Sequence, residues 1–410
     1  MRSMRHSAGL HKIIGTLRSP TYGNYVLGNG ISLIGTWMQR IAVGWLTWQL
    51  TGSAFWLGVI AFADLFPTVI IGPIAGAVAD RGDKLRLIQI SQALACLQAA
   101  ILFALTTAGF VNIAWLAFLS LFLGTVSALN QPARLALLPS LVEAKNFNSA
   151  IGINSVIFNL ARFIGPAIAG LIIAGGNIAW VFAVNVLSYV VFLVILSRLR
   201  LVEPSKSARA RKHFFHDLRE GLAYTAGHRQ IAVSLLLLIA VSLGARPVVE
   251  LLPGFAGQVF AGGPTTLALL TSTFGAGAII GGLWLAGGRE ERNLTSVARF
   301  GAIGLAAALI LFVASPNLEI ALPAAALLGL TIVVTSAGIQ TLVQLNVESE
   351  MRGRVLSLYG LIIRGGPAVG ALTMGWFADW IGLRWSVAGG AGLLLIAVGL
   401  ITVRERRAGR

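Results

Sequence analysis

Six ionisable side chains, Arg40, Asp64, Arg162, Arg246, Glu250 and Arg364, stand inside stretches of sequence that are otherwise apolar. A charge removed from water is costly unless it is paired or used, so each is a functional candidate. Two carboxylates among four arginines suit reversible proton binding, because a carboxylate can alternate between a proton and a neighbouring guanidinium. Bond-making catalysis is not expected: the apolar stretches hold no paired aspartates, histidine cluster or reactive cysteine. The five histidines, His6, His11, His213, His216 and His228, fall in hydrophilic segments. The single cysteine, Cys96, excludes an intramolecular disulfide framework and a multi-cysteine metal site. No catalytic residue, metal or cofactor is therefore expected.

Spacing ranks the candidates. Arg40 and Asp64 lie equally far in sequence from Gly52, so in two antiparallel helices joined there they reach one depth and can pair. Asp64 is the first choice for the proton carrier. Arg246 and Glu250 share a helical face, and Pro247 and Pro253 predict a broken helix where a gate or a local ion pair could sit. Arg162 and Arg364 fall near mid-span, and the excess of cations suits an acidic substrate. Polar neighbours expected around the same cavity are Gln39, Asn130, Gln131, Asn154, Asn159, Gln340, Gln344 and Asn346, a minority of them touching substrate. Trp37, Trp45, Trp48, Phe62 and Phe66 could form an aromatic wall. Asp379, with Gly375 and Gly382, reads as structural.

The elements that must position these residues are membrane spans. Of 410 residues, 56% are hydrophobic and 11% charged, against roughly 25% charged in soluble domains. Apolar stretches long enough to cross a bilayer lie near 22–50, 54–79, 87–109, 112–138, 148–174, 178–198, 230–256, 264–287, 295–314, 319–345, 354–376 and 384–403. Of the 31 Lys and Arg, Arg384 alone falls in connections on one face and four arginines fall within spans. All the others fall on the face that holds both termini. The positive-inside rule makes that face cytoplasmic, so the net charge of +16 reflects topology and not a nucleic-acid partner.

The hydrophilic stretch around residues 200–229 divides the chain into an N-terminal six-helix bundle (1–199) and a C-terminal one (230–410). Within the linker, Phe214, Leu218 and Leu222 recur at helical spacing and predict an amphipathic helix on the inner membrane surface. The halves echo each other. Gly165-Pro166-Ala167-Ile168-Ala169-Gly170 returns as Gly366-Pro367-Ala368-Val369-Gly370-Ala371, each block preceded by an arginine, Arg162 and Arg364. Duplicated six-helix halves predict a substrate site near the midplane between them.

The connection between the second and third spans reads Gly72-Pro73-Ile74-Ala75-Gly76-Ala77-Val78-Ala79-Asp80-Arg81-Gly82-Asp83-Lys84-Leu85-Arg86. This G-x-x-x-D-R run with its basic tail resembles the hallmark loop of the major facilitator superfamily, except that Asp83 stands where a second glycine is usual. Gly76 would permit close helix approach. The resemblance implies a twelve-helix fold of two pseudo-symmetric bundles and a conformational latch formed by Gly76, Asp80, Arg81, Lys84 and Arg86. The counterpart in the second half, Gly287-Gly288-Arg289-Glu290-Glu291-Arg292, is degenerate. Gly165, Pro166 and Gly170 resemble the fifth-span motif of antiporters in that superfamily. Gly35-Thr36-Trp37-Met38-Gln39-Arg40, with Gly44-Trp45-Leu46 and Leu50-Thr51-Gly52-Ser53, resembles the secretion-effector branch that includes the enterobactin exporter and macrolide efflux proteins. That branch implies a monomeric exporter of a siderophore or drug-like metabolite in a bacterial inner membrane. An importer, a lysolipid transporter or a non-transporting sensor are the alternatives. Hand-over to an outer-membrane partner is left open. The sequence has no G-x-x-x-x-G-K-[ST] signature, so the energy source expected is a proton gradient.

Overall fold

Prolines, glycines and short polar caps cut the apolar sequence into helices. The computed structural model describes residues 15–199, 201, 214–286 and 294–408, and those residues contain no strand. The first half comprises α1 (Pro20–Thr51), α2 (Ala54–Leu65), α3 (Pro67–Arg81), α4 (Lys84–Thr107), α5 (Ile113–Leu137), α6 (Phe147–Ala174) and α7 (Ala179–Ser197). The linker contributes α8 (Phe214–Gly227). The second half comprises α9 (Arg229–Gly244), α10 (Val248–Gly254), a π-helical turn (Phe255–Val259), α11 (Pro264–Ala286), α12 (Leu294–Ala314), α13 (Leu318–Asn346), α14 (Arg352–Ile381) and α15 (Leu383–Ala408).

Among the described residues, 11 helical segments are long and apolar enough to cross a membrane. The 32-residue α1 completes the twelve; it is less apolar because Asn29, Ser32, Gln39 and Thr47 lie on its buried side. Leu171, Phe110 and Trp380 are 75%, 72% and 77% exposed, and an apolar surface of that extent has lipid as its solvent.

Two spans are interrupted, each at a proline. Pro67 lacks the N–H that would continue α2, and the second span divides at Phe66, two residues beyond Asp64. Pro247 divides the seventh span between α9 and α10, and the π turn after Pro253 ends it. The broken seventh helix expected from Pro247 and Pro253 is therefore present, with Glu250 in the first turn of α10.

The halves meet along two seams, α2 against α14 and α6 against α11. At the Gly52 end the first seam is tight, because Gly375 and Gly58 let the α2 and α14 backbones touch: a Cβ on Gly375 would collide with the Ala54 carbonyl, and one on Gly58 with that of Ala371. Asp379, at the end of α14, also caps α2. Ser53 Oγ donates to Asp379 Oδ2 at 2.7 Å, and the Ala54 and Phe55 amides donate to Oδ1 at 3.0 and 3.4 Å. A carboxylate at a helix N-terminus satisfies free N–H groups and meets the positive end of the helix dipole. Asp379 is structural, as expected, but its bonds tie one half to the other.

Arg134, counted from sequence among the charges of the cytoplasmic connections although it falls within the stretch 112–138, lies in the last turn of α5. Its Nη1 donates to Asn29 Oδ1 at 2.6 Å, its Nη2 to Gln92 Oε1 at 3.1 Å and its Nε to Asn130 Oδ1 at 3.2 Å, with its Cζ 5.3 Å from the Phe192 ring centroid. One guanidinium thereby joins α1, α4, α5 and α7. The linker helix α8 lies on protein, packed against α9 and α14, where Glu220 Oε2 meets Arg354 Nη2 at 2.8 Å.

Two outcomes follow from this packing. Asp379→Ala removes the cap on α2, worth about 1 kcal/mol or roughly fivefold in an equilibrium. In a background with Cys96→Ser, a cysteine introduced by Ala54→Cys should then react about fivefold faster with a polar maleimide; an unchanged rate would show that the clasp is not holding this end. Arg134→Met should lower the thermal unfolding midpoint of the detergent-solubilised protein, because it strands the buried Asn29 and Gln92 acceptors at a cost of about 3 kcal/mol. An unaltered midpoint would mean that the three bonds contribute nothing net.

Candidate functional site

Helix α1 brings Arg40 to the middle of the molecule, where carboxylates from both halves reach it. Arg40 Nη2 lies 3.1 Å from Asp64 Oδ2 of α2 and 3.2 Å from Glu250 Oε1 of α10. Each carboxylate stands in a helix within three residues of a proline junction, Asp64 before Pro67 and Glu250 after Pro247. The three side chains are 26%, 20% and 25% exposed. They face two small central cavities, one reaching Asp64 and one reaching Trp37 and Arg162, with Arg40 and Glu250 on both walls.

The Arg40–Asp64 contact expected from their depth is formed. The local pairing open to Arg246 and Glu250 is not: Glu250 crosses to Arg40, while Arg246 Nη1 donates to Ser336 Oγ at 3.4 Å and its Nε is buried without a partner. The physical reason is the break itself. Ala245 to Pro247 leave the helical path, so the two residues are no longer one regular turn apart on a single face.

Trp37 and Arg162 join the same cavity. The Cζ atoms of Arg40 and Arg162 lie 5.1 and 5.4 Å from the Trp37 ring centroid, and Arg162 also lies 5.1 Å from the Phe274 centroid. Gly165 makes this approach feasible. A Cβ there would stand 2.6 Å from Trp37 Cβ and 3.0 Å from the Ile34 carbonyl, so any larger residue would push α6 away from α1. Pro166 lines the cavity, and a Cβ on Gly170 would meet Ala268 of α11 across the second seam. The repeat is structural as well as textual: Gly366 packs against Ser242 of α9, the first helix of its own half, as Gly165 packs against α1.

Other candidates are bound up in the framework or lie away from the cavities. Gln39 stands on the wall of the Asp64 cavity, but its Nε2 donates to Gln98 Oε1 at 2.9 Å and its Oε1 accepts from Asn185 Nδ2 at 2.8 Å. Asn130 accepts from Arg134. The amides of Asn159 and Asn346 donate to backbone carbonyls one turn earlier in their own helices, and Asn154 Oδ1 is buried without a partner. Gln131, Gln340 and Gln344 are exposed, and Arg364 is half-buried; none of these lines either central cavity. Of the expected aromatic wall only Trp37 faces the cavities. Trp45 is buried, Trp48 packs on Gly254 and Gly257, and Phe62 stacks on Phe66 at 4.3 Å.

At the C-terminal end of α3 the side chains of Asp80 and Arg81 lie outside the described ones, as does the whole of the second-half counterpart from Gly287 to Arg292. Gly76 was expected to admit a close neighbour, yet a Cβ there would find open space. Lys84 is buried, Arg86 is exposed, and Asp83 Oδ1 accepts from the Arg86 amide at 3.1 Å. The residue that departs from the usual glycine thus caps α4. Sequence reasoning did not find Phe274, for which the only signal was helical spacing on an apolar span, nor the bridging role of Arg134.

With this geometry in view, residues 14–408 match the family described as transmembrane secretion effector. Macrolide efflux protein A of Streptococcus pyogenes is 25% identical over 388 residues, covering 93% of this chain and 95% of that protein. The staphyloferrin A transporter of Staphylococcus aureus is 28% identical over 356 residues, covering 85% and 87%. Multidrug efflux pump Tap of Mycolicibacterium fortuitum is 26% identical over 370 residues, covering 87% of each. Among solved structures, an inward-facing bacterial homolog of the human lysosomal transporter Spinster aligns with TM-score 0.73 at 15% identity over 94% of this chain and 97% of that one. A bacterial homologue of ferroportin aligns at 0.70 and 17%, covering 93% and 98%. These likenesses agree with the helices, the two seams and the repeated Gly-Pro blocks, and the chain belongs to the transmembrane secretion effector family of major facilitator transporters, a multi-pass membrane transporter and not an enzyme.

Proposed function

We propose that this protein is a proton-coupled exporter of a small amphiphilic or anionic molecule, working by antiport in a bacterial inner membrane. Its basic connections support placing both termini at the cytoplasmic face. Similarity to a macrolide efflux protein and a multidrug efflux pump supports the direction, and similarity to these and to a staphyloferrin A transporter supports the substrate class. The proton gradient supplies the energy without a cofactor, and the partners are the substrate and the surrounding lipid, with no nucleic acid; the working unit is the monomer.

The observation that carries this reading is one guanidinium nitrogen shared by carboxylates of opposite halves. At an effective dielectric of about 20, each contact has a gross attraction of roughly 5 kcal/mol. The 3.1 and 3.2 Å separations make the two nearly equal, so a single proton tips the balance. A proton on Asp64 removes one claim and hands Arg40 to Glu250, drawing α1 onto α10 and tightening the halves on that side. A proton on Glu250 leaves Arg40 with Asp64, within the first half, and unties them. Proton loading is thereby converted into a change in how firmly the halves hold together, which is what alternating access needs. Substrate enters between the halves from the cytoplasmic side, beneath the Asp379 clasp, and leaves when they rock.

The test is a reconstituted protein in liposomes with an imposed pH gradient and an internal pH dye, offered a macrolide or staphyloferrin A. Wild type should show substrate-dependent proton movement, Asp64→Asn should lose at least nine-tenths of it, and Glu250→Gln should favour separated halves by the Ala54→Cys labelling readout. Equal proton movement in wild type and Asp64→Asn would remove Asp64 from the coupling step. Silence with every compound would refute this substrate class.

A further inference from the structure

Arg40 spends its charge on Asp64 and Glu250. Arg162, whose Cζ also lies over the Trp37 ring, does not: among the described residues it has aromatic neighbours, no carboxylate within 4.0 Å and no hydrogen-bond acceptor. Ring faces attract a guanidinium and hold its orientation, but they leave its N–H donors unused. Those donors form a flat fork that matches a carboxylate through two parallel bonds. Glu250, the acidic residue on the wall of the same cavity, is engaged with Arg40. Apart from Thr271, the remaining wall beside Arg162 is apolar, with Ile41, Val249, Leu252 and Leu267. An unanswered cation in a membrane interior is stable only if something else arrives to answer it.

We infer that Arg162 is the receptor for the carboxylate of an organic anion whose apolar body lies against Trp37, Phe274 and the aliphatic wall between α1, α6, α10 and α11. This deepens the proposed export function by separating two tasks within one cavity. Arg162 reads the substrate, and the Arg40, Asp64 and Glu250 cluster reads the proton. The two tasks fall on different side chains that share the Trp37 ring as a neighbour, so a bound anion and a bound proton occupy different atoms. Gly165 is the positioning residue, because only a glycine lets α6 bring Arg162 up to Trp37.

The experiment is equilibrium binding to the detergent-solubilised full chain without any gradient, followed by saturation-transfer NMR. Benzoate is the probe, with acetate lacking the apolar body, benzyl alcohol lacking the charge and benzylamine reversing it. Wild type should bind benzoate at least tenfold more tightly than the other three. Arg162→Gln should reduce benzoate to the level of benzyl alcohol, and Arg162→Lys should fall between, as a point charge cannot present the fork. If Arg162→Gln does not fold, Arg162→Lys and Trp37→Leu carry the test, and each must weaken benzoate more than benzyl alcohol. Undiminished benzoate binding in Arg162→Gln, or tighter binding of benzylamine than of benzoate in wild type, overturns the inference. Arg162-dependent binding in a protein that moves no protons keeps the inference and removes the proton-coupled reading. Proton movement in a protein whose benzoate binding ignores Arg162 does the reverse.

Discussion

The structure turns on the cost of placing a guanidinium between two six-helix bodies in a medium that cannot solvate it. Arg40 is stable there because Asp64 and Glu250 both reach the same nitrogen, and much of the local architecture serves that convergence. Pro67 breaks the second span just beyond Asp64, and Pro247 breaks the seventh just before Glu250. A regular helix fixes where each side chain points by its 3.6-residue period; the break at Pro247 takes Glu250 off the face of Arg246, and its carboxylate meets Arg40 of the other half. At Arg40 an ion pair within a half competes with an ion pair between halves.

Close packing supplies the other half of the design. Transmembrane helices gain little from hydrophobic exclusion, so small residues that let backbones approach do much of the joining. Gly58 and Gly375 bring α2 and α14 together at the end that Asp379 clasps, and Gly165 brings α6 onto α1 beside the cavity. Two of the polar residues expected near the substrate serve this framework. Gln39 is engaged with Gln98 and Asn185, and Asn130 with Arg134. In a low-dielectric interior an unpaired amide is costly, so a polar side chain that can find a protein partner takes it, and few are left to face a ligand. Among the described residues Arg162 has aromatic contacts and no hydrogen-bond acceptor, and it stands apart for that reason.

Much was legible before any coordinates. Helical spans, the break at Pro247 and the Arg40–Asp64 contact follow from apolar run length, the missing proline N–H and equal depth either side of Gly52. These are local or one-dimensional properties. The failures share one cause. Arg134 looked like a loop charge because basic residues near span ends normally are. The Arg246–Glu250 spacing suggested a pair because sequence cannot show that the helix leaves its path between them. Gly76 fitted a close approach by type, yet in this conformation nothing comes near it.

The sequence by itself determined that this chain lives in a membrane, as two related sets of six spans carrying a few costly charges, because hydrophobic run length and charge placement are read without knowing any contact. Only the tertiary structure decided which of those charges are answered. Glu250 to Arg40, Asp379 to the start of α2 and Arg134 to three amides are pairings over long sequence separations, set by which helix faces meet. Helix rotation and the approach allowed by individual glycines decide those meetings, and neither leaves a periodic trace in the order of residues.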